Sequence, residues 1–424
     1  MVQVEPVLAG FLAIVLFASL ISKRIKTPYT VLLVLVGLAL AAIPGSASPD
    51  IVGAFNGLAA GGLFIGLILP PLLFESIMSV RVEDFRAVSR PALILATLGV
   101  IIATVVGGFV LWKVVGLAPF PAFLFAALIS PTDVATVLEI FARVNVPPRL
   151  ATLVEMESVF NDATGIAVFA VVLAYSTEAS VQPLVAVGDF AYSLGGGVLV
   201  GLAVAWGARQ LQRGVKDTVS QVVLTVASAY GAFGVASSIP AIPSLHSTPS
   251  GVIAVAVTGL FYGNTVLGKL ESKEVEDALR GFWKILAFFA NGVAFFFIGV
   301  STNIVSMADG IGAILVAYGV VVMARITSVY PIMSVTKVGG SLIPVSWMNT
   351  TVLGGMRGAL AIALVSAIGD SAIRAQVATL TFGVVMLSIL LQGQLLVRYS
   401  GRAFGRQTQL PIPPGPPDSG PPSA

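Results

Sequence analysis

The sequence predicts an all-α polytopic membrane protein with about thirteen transmembrane helices. Three observations lead there. Of the 424 residues, 57% are hydrophobic and only 10% charged, too little charge to coat a soluble protein of this length. The mean hydropathy is +0.98. The apolar residues also come in long runs, and basic residues gather in every second gap between them.

A run of about 17–25 apolar residues spans a bilayer as a helix. Thirteen such runs occur, at 5–22, 28–43, 51–79, 91–113, 119–142, 149–175, 181–208, 218–238, 249–268, 278–302, 308–332, 344–368 and 371–397. The first contains Glu5 and lacks a basic flank or a small-residue cleavage site, so it reads as a permanent span and not a signal peptide. The long third and tenth runs imply tilt or extension past the bilayer. An odd number of spans puts the termini on opposite sides.

The basic residues set which side is which. Odd-to-even connections and the C-terminus hold Lys23, Arg24, Lys26, Arg81, Arg86, Arg90, Arg143, Arg149, Arg209, Arg213, Lys216, Lys269, Lys273, Arg280, Lys284, Arg325, Lys337, Arg398, Arg402 and Arg406, which is twenty of the 23. The opposite side has Lys113 and Arg374. By the positive-inside rule the N-terminus lies outside and the C-terminus in the cytoplasm. Topology thus accounts for a pI near 9.2, with no need for a nucleic-acid partner. The chain has no cysteine, which excludes disulfides and thiolate metal sites. No connection is long enough for a soluble domain. Residues 400–424, ending LPIPPGPPDSGPPSA, read as a disordered cytoplasmic tail.

One basic residue is left over. Arg357 lies inside the twelfth span, and Glu75, Asp133, Glu155, Glu157 and Asp162 also lie within spans, with Glu139 nearer an end. A charged side chain at the bilayer centre costs roughly 2.5–3.5 kcal/mol on insertion scales, so intramembrane ionisable groups mark ion pathways by default. The plainer alternative is an ion-paired structural network. At 1.5 Å per residue, Asp162 lies about 19 Å beyond Arg149 and Asp133 about 15 Å from Arg143. The two carboxylates can therefore meet near the midplane. In ESVFNDATG (157–165), Ser158 and Asp162 share one helix face while Glu157 and Asn161 share another.

The fifth span carries Pro131 between Ser130 and Thr132, and the twelfth carries GGMRG, with Gly354, Gly355 and Gly358. Proline removes a backbone donor, and broken backbone at membrane depth survives only where protein or a watery cavity satisfies it. A kink alone would explain Pro131, but two interrupted helices in corresponding halves point to a transporter's midplane site. Spans 1–6 and 8–13 then form inverted repeats around a linking seventh. Two decoys are weak. GNTVLGKL (263–270) fits the start of a phosphate-binding loop but ends in Leu270 where Ser or Thr is required. His246 near Ser250 and Gly251 lacks the buried Ser and His pair of an intramembrane protease. Gly195, Gly196, Gly197 and Gly201 have helix-packing spacing.

The ordered set ILPPLLFES (68–76), SPTD (130–133), ESVFND (157–162) and GGMRGALAIAL (354–364) resembles the monovalent cation/proton antiporter superfamily, specifically its NhaP-type sodium/proton exchangers. The resemblance covers about residues 5–399. It implies an NhaA-like fold with two inverted-topology repeats and two discontinuous crossing helices. Residues 1–80 and 181–303 would be scaffold and dimerisation helices. Residues 91–176 and 308–399 would be transport helices, broken near 130–133 and 354–358. It further implies that Asp162 binds cation and proton in turn, with Asp133, Ser158, the Thr132 main chain and Asn161 as companions around a Na+ or Li+. Glu157 looks like the ion-pair partner of Arg357, and Glu75 resembles an acid on the access route. Exchanger relatives often have Gly where this chain has Ala163, a small departure.

The resemblance also implies a homodimer in the plasma membrane, no cofactor and no enzymatic activity. Electrogenic relatives carry a second Asp where this chain has Asn161, so exchange of one proton per cation is expected. The chemistry behind this is simple competition. Burial disfavours the charged form of a carboxylate, which either a proton or a small cation can neutralise, and hard oxygen ligands suit Na+ or Li+. K+/H+ exchange is the alternative within the same fold. A cation channel and an intramembrane hydrolase are more distant ones, and the latter lacks a nucleophile–base pair.

Overall fold

The computed structural model describes residues 4–25, 28–43, 63–174, 183–215, 217–242, 247–267, 273–302, 304–365 and 367–405. In chain order the elements are α1 (Val4–Ile25), α2 (Tyr29–Ala42), α3 (Leu63–Met78), α4 (Val82–Lys113), α5 (Pro119–Ile129), α6 (Ala135–Phe141), α7 (Pro148–Ala174) and α8 (Pro183–Gln212). They continue with α9 (Thr218–Ser238), α10 (Gly251–Thr265), α11 (Lys273–Val300), α12 (Ile304–Asp309) and α13 (Ile311–Val335). A small hairpin, β1 (Lys337–Val338) and β2 (Ser341–Leu342), precedes α14 (Val345–Leu353), α15 (Ala359–Val365) and α16 (Ser371–Phe404). The hairpin turns on Gly339 and Gly340, whose φ values of 57° and 86° are left-handed.

Each predicted span corresponds to one helix or one broken pair. The fifth is α5 with α6, and the twelfth is α14 with α15. Among the described residues, seven helices are long and apolar enough to cross a membrane unaided, and five are shorter and apolar. The helix α4 contains a π-turn at Leu95–Gly99, four residues after Pro91, and α16 contains one at Ser388–Gln392. The first part of the third span (51–62), Lys216, His246, Lys269 and residues 406–424 lie outside the described residues. The expected tail is corrected at its start, because α16 remains helical to Phe404.

Packing divides the helices into two groups. In the first, α2 lies along α11, which also meets α3 and α9, while α10 sits against α3, α8 and α9. In the second, α4 packs on α5, α7 and α13, and α16 packs on α5, α13, α14 and α15. The helix α7 touches both groups, meeting α3, α8 and α10 as well as α4 and α5. Glycines set the closest approaches. A Cβ on Gly201 of α8 would lie 2.6 Å from the Ala254 carbonyl of α10, and one on Gly197 would lie 2.7 Å from that of Ser250. The glycine run thus serves helix packing. Within GNTVLGKL, the Asn264 amide ties α10 to the α3–α4 connection. It accepts from the Val82 N–H (2.8 Å) and donates to the Val80 carbonyl (2.9 Å).

Candidate ion-binding site

The two helix breaks meet. The Asp133 N–H donates to the Met356 carbonyl at 2.8 Å, so backbone from one break satisfies the other. Asp133 then uses its side chain to cap the second half-helix, its Oδ1 accepting from the Ala135 N–H at 2.8 Å. Gly358 makes the crossing possible, since any Cβ there would run into the Asp133 carboxylate.

The half-helix α5 ends with free carbonyls and the negative end of its dipole inside the protein. The Arg357 guanidinium answers both, donating to the Ser130 carbonyl and, at 3.0 Å, to that of Pro131. The Arg357 N–H donates to Ser388 Oγ (3.0 Å), in the π-turn of α16. Arg357 is therefore a backbone cap and not the ion-pair partner expected from the sequence.

Glu157 pairs with Arg325 instead. Both carboxylate oxygens accept from Arg325 of α13, Oε1 from Nη1 and Oε2 from Nη2, each at 2.8 Å. Glu157 is 0% exposed and Arg325 5%, so this is a bidentate pair within the protein. The reason is geometric. Arg357 directs its Nη1 at the α5 carbonyls, while Arg325 of α13 reaches Glu157 and also donates from Nη2 to the Thr351 carbonyl in the last turn of α14 (3.3 Å). Gly355 leaves the room, for a Cβ there would stand 2.9 Å from Arg325 Nε. Arg325 accordingly belongs inside the membrane region and not among the connection residues. Each broken helix thus ends against an arginine.

The expected Ser158/Asp162 and Glu157/Asn161 faces exist and do different things. The Asn161 amide donates to Glu157 Oε1 and to Thr132 Oγ1, both at 2.8 Å, and its oxygen accepts from the Thr132 N–H at 3.2 Å. Both ends of Asn161 are engaged, it is fully buried, and it does not line the cavity described next. It pins the α5–α6 break to α7. Ser158 donates to the Thr132 carbonyl at 2.6 Å.

Beside this frame lies a cavity of about 220 Å³. Its polar wall includes Asp162, Asp133, Ser158, Thr132, Glu75 and Asn291, contributed by α3, α7, α11 and the first break. No hydrogen bond from a described residue reaches the Asp162 carboxylate, which faces the cavity. Glu75 and Ser76 lie toward the basic-rich end of α3, where the Ser76 hydroxyl donates to Glu155 and Lys284 is within electrostatic reach of Glu75. Glu139 stands apart, accepting from Arg143 (2.7 Å) and from the Tyr29 N–H (3.2 Å). The structure therefore gathers Asp162, Asp133, Ser158, Thr132 and Glu75 around one cavity and assigns Glu157, Asn161 and Arg357 to its frame. Asn291 and Arg325 escaped the sequence reading.

This geometry can be set beside known proteins. The model of the transmembrane sodium/hydrogen exchanger family matches residues 11–400. The chain belongs to that family. It is 31% identical over 396 residues to the low-affinity Na+/H+ antiporter NhaS1 of Synechocystis, covering 90% of this chain and 71% of that protein. It is 32% identical over 341 residues to the Na+/H+ antiporter NhaP of Pseudomonas aeruginosa, 77% of each being covered. The fold is similar to that of the sodium proton antiporter MjNhaP1 from Methanocaldococcus jannaschii, with a TM-score of 0.75 at 24% identity over 95% of this chain and all of that one. This exchanger-family chain thus shares the fold of that antiporter.

Proposed function

We propose that this protein is a secondary active antiporter that exchanges Na+ or Li+ for H+, one for one, by alternating access. The single observation carrying this reading is the asymmetry among the buried acids. Glu157 is neutralised by Arg325, whereas Asp162 faces a cavity with no basic partner among the described residues. Only a cation or a proton taken from that cavity can neutralise it. A protonated carboxyl cannot also hold Na+, so the two cargoes exclude one another. If the helix groups rearrange only while Asp162 is neutral, exchange follows.

Ser158, Asp133 and the Thr132 main chain complete an oxygen-rich surface suited to a small hard cation. Asn161 adds no charge, which supports electroneutral coupling. The reading includes the plasma membrane as location, an outer N-terminus, cytoplasmic access past Glu75, and the homodimer implied by family resemblance. The helix groups containing α2, α3 and α8–α11 would be the scaffold, and those containing α4–α7 and α13–α16 would carry the site.

The test is dequenching of a pH-sensitive dye in proteoliposomes given Na+, Li+ or K+ in turn, with membrane potential clamped or free. Proton movement driven by Na+ or Li+ and unchanged by the clamp is expected. Response to K+ alone would assign K+/H+ exchange, and current without proton movement would assign a channel.

A further inference from the structure

We infer that Asn291 is an additional cation ligand, contributed by the opposite helix group and engaged in only one of the two access states. This rests on the Asp162 cavity being the transport site. The helix α11 presents Ala287, Asn291 and Ala294 to that cavity, a stripe at helical spacing. Its two flanking members are alanines, so the carboxamide is the one polar group α11 contributes there. Asn291 stands seven residues beyond Lys284 on α11, about 10 Å deeper along the helix. That places it inward of the Glu75 and Lys284 level, on the way to Asp162.

A carboxamide in a membrane helix normally finds a protein partner, because an unmet polar group within a protein costs about 1–3 kcal/mol. No hydrogen bond joins Asn291 to any described residue, in contrast to Asn161, both ends of which are used. Asn291 therefore directs its amide into the cavity, where its carbonyl oxygen is a neutral hard donor of the kind Na+ takes from backbone carbonyls.

The location adds a consequence. Asp162, Ser158 and Asp133 belong to α7 and the first break, whereas α11 packs with α2, α3 and α9. Movement of one helix group past the other carries the carboxylates away from Asn291. The ligand is thus present in this conformation and lost in the other, so cation affinity differs between the two faces without any change in the charged groups.

The experiment uses Asn291→Leu, which keeps the volume, and Asn291→Ser, which keeps a small polar group, in right-side-out and everted membrane vesicles. The apparent KM for Na+ is expected to rise about fivefold to tenfold in the Leu variant, the equivalent of one lost polar contact. The rise should occur in one vesicle orientation, and the Ser variant should recover part of it. Thermal stability of the purified protein should stay at the wild-type value in at least the Ser variant. Wild-type KM in both orientations for both variants overturns the assignment of Asn291 as ligand. An equal rise in both overturns its restriction to one state. Absence of exchange in the wild type would instead remove the antiport reading itself.

Discussion

At the residue scale, two carboxylates five positions apart on one helix have opposite fates. Glu157 is locked to Arg325 and Asp162 is open to the cavity. Asp162→Asn should abolish exchange in proteoliposomes while the protein still purifies as a folded species, and retained exchange would remove Asp162 from the mechanism. Removing one partner of the buried pair, by Arg325→Ala or Glu157→Ala, leaves an uncompensated charge and should cost about 3–5 kcal/mol. Thermal unfolding in detergent should show this, with Glu157→Gln combined with Arg325→Met recovering part of the loss. Sequence reasoning found every acid here because charge in an apolar run is conspicuous. It misplaced Arg325, though Val335 ends that helix ten residues later and the depth arithmetic, about 15 Å, already put the arginine inside. Which arginine serves which acid depends on which helix carries its guanidinium to the carboxylate, and only packing reveals that. Asn291 carries no charge and so gave no comparable signal.

At the element scale, the informative features are the two interruptions. Both were legible, since Pro131 and the GGMRG run each deny a helix its regular hydrogen bonds. Their meeting point was not, because the Asp133 to Met356 bond joins residues over two hundred positions apart. Gly358 allows that contact. Gly358→Val should force Asp133 from its seat on α6, and the expected outcome is loss of exchange. The Na+ concentration dependence of dye dequenching would check it, with normal kinetics counting against the crossing as the seat of the site. Arg357 has a parallel role for α5, whose terminal carbonyls it holds.

For the whole molecule, hydropathy and the alternation of basic residues were enough to give thirteen spans and their order. They could not show the division into two packed groups, which depends on close contacts such as Gly201 against Ala254. Hydrogen bonds tie those groups at the basic-rich end, including Thr30 to Thr136 (3.0 Å), Ser22 to Arg143 (3.2 Å) and Ser76 to Glu155. These contacts must part when the groups move. A cation that binds the folded protein at Asp162 should stabilise it as a whole. At a Na+ concentration a hundred times its dissociation constant the gain is about 2.7 kcal/mol. A rise in melting temperature with Na+, absent in Asp162→Asn, would verify this.

The arginines at the broken helix ends have a further consequence. Neither arginine lines the cavity, so the braces under both half-helices stand away from the space an ion enters. An ion entering there meets the wetted carboxylates and leaves the girders alone, which lets the machine load and unload without being dismantled.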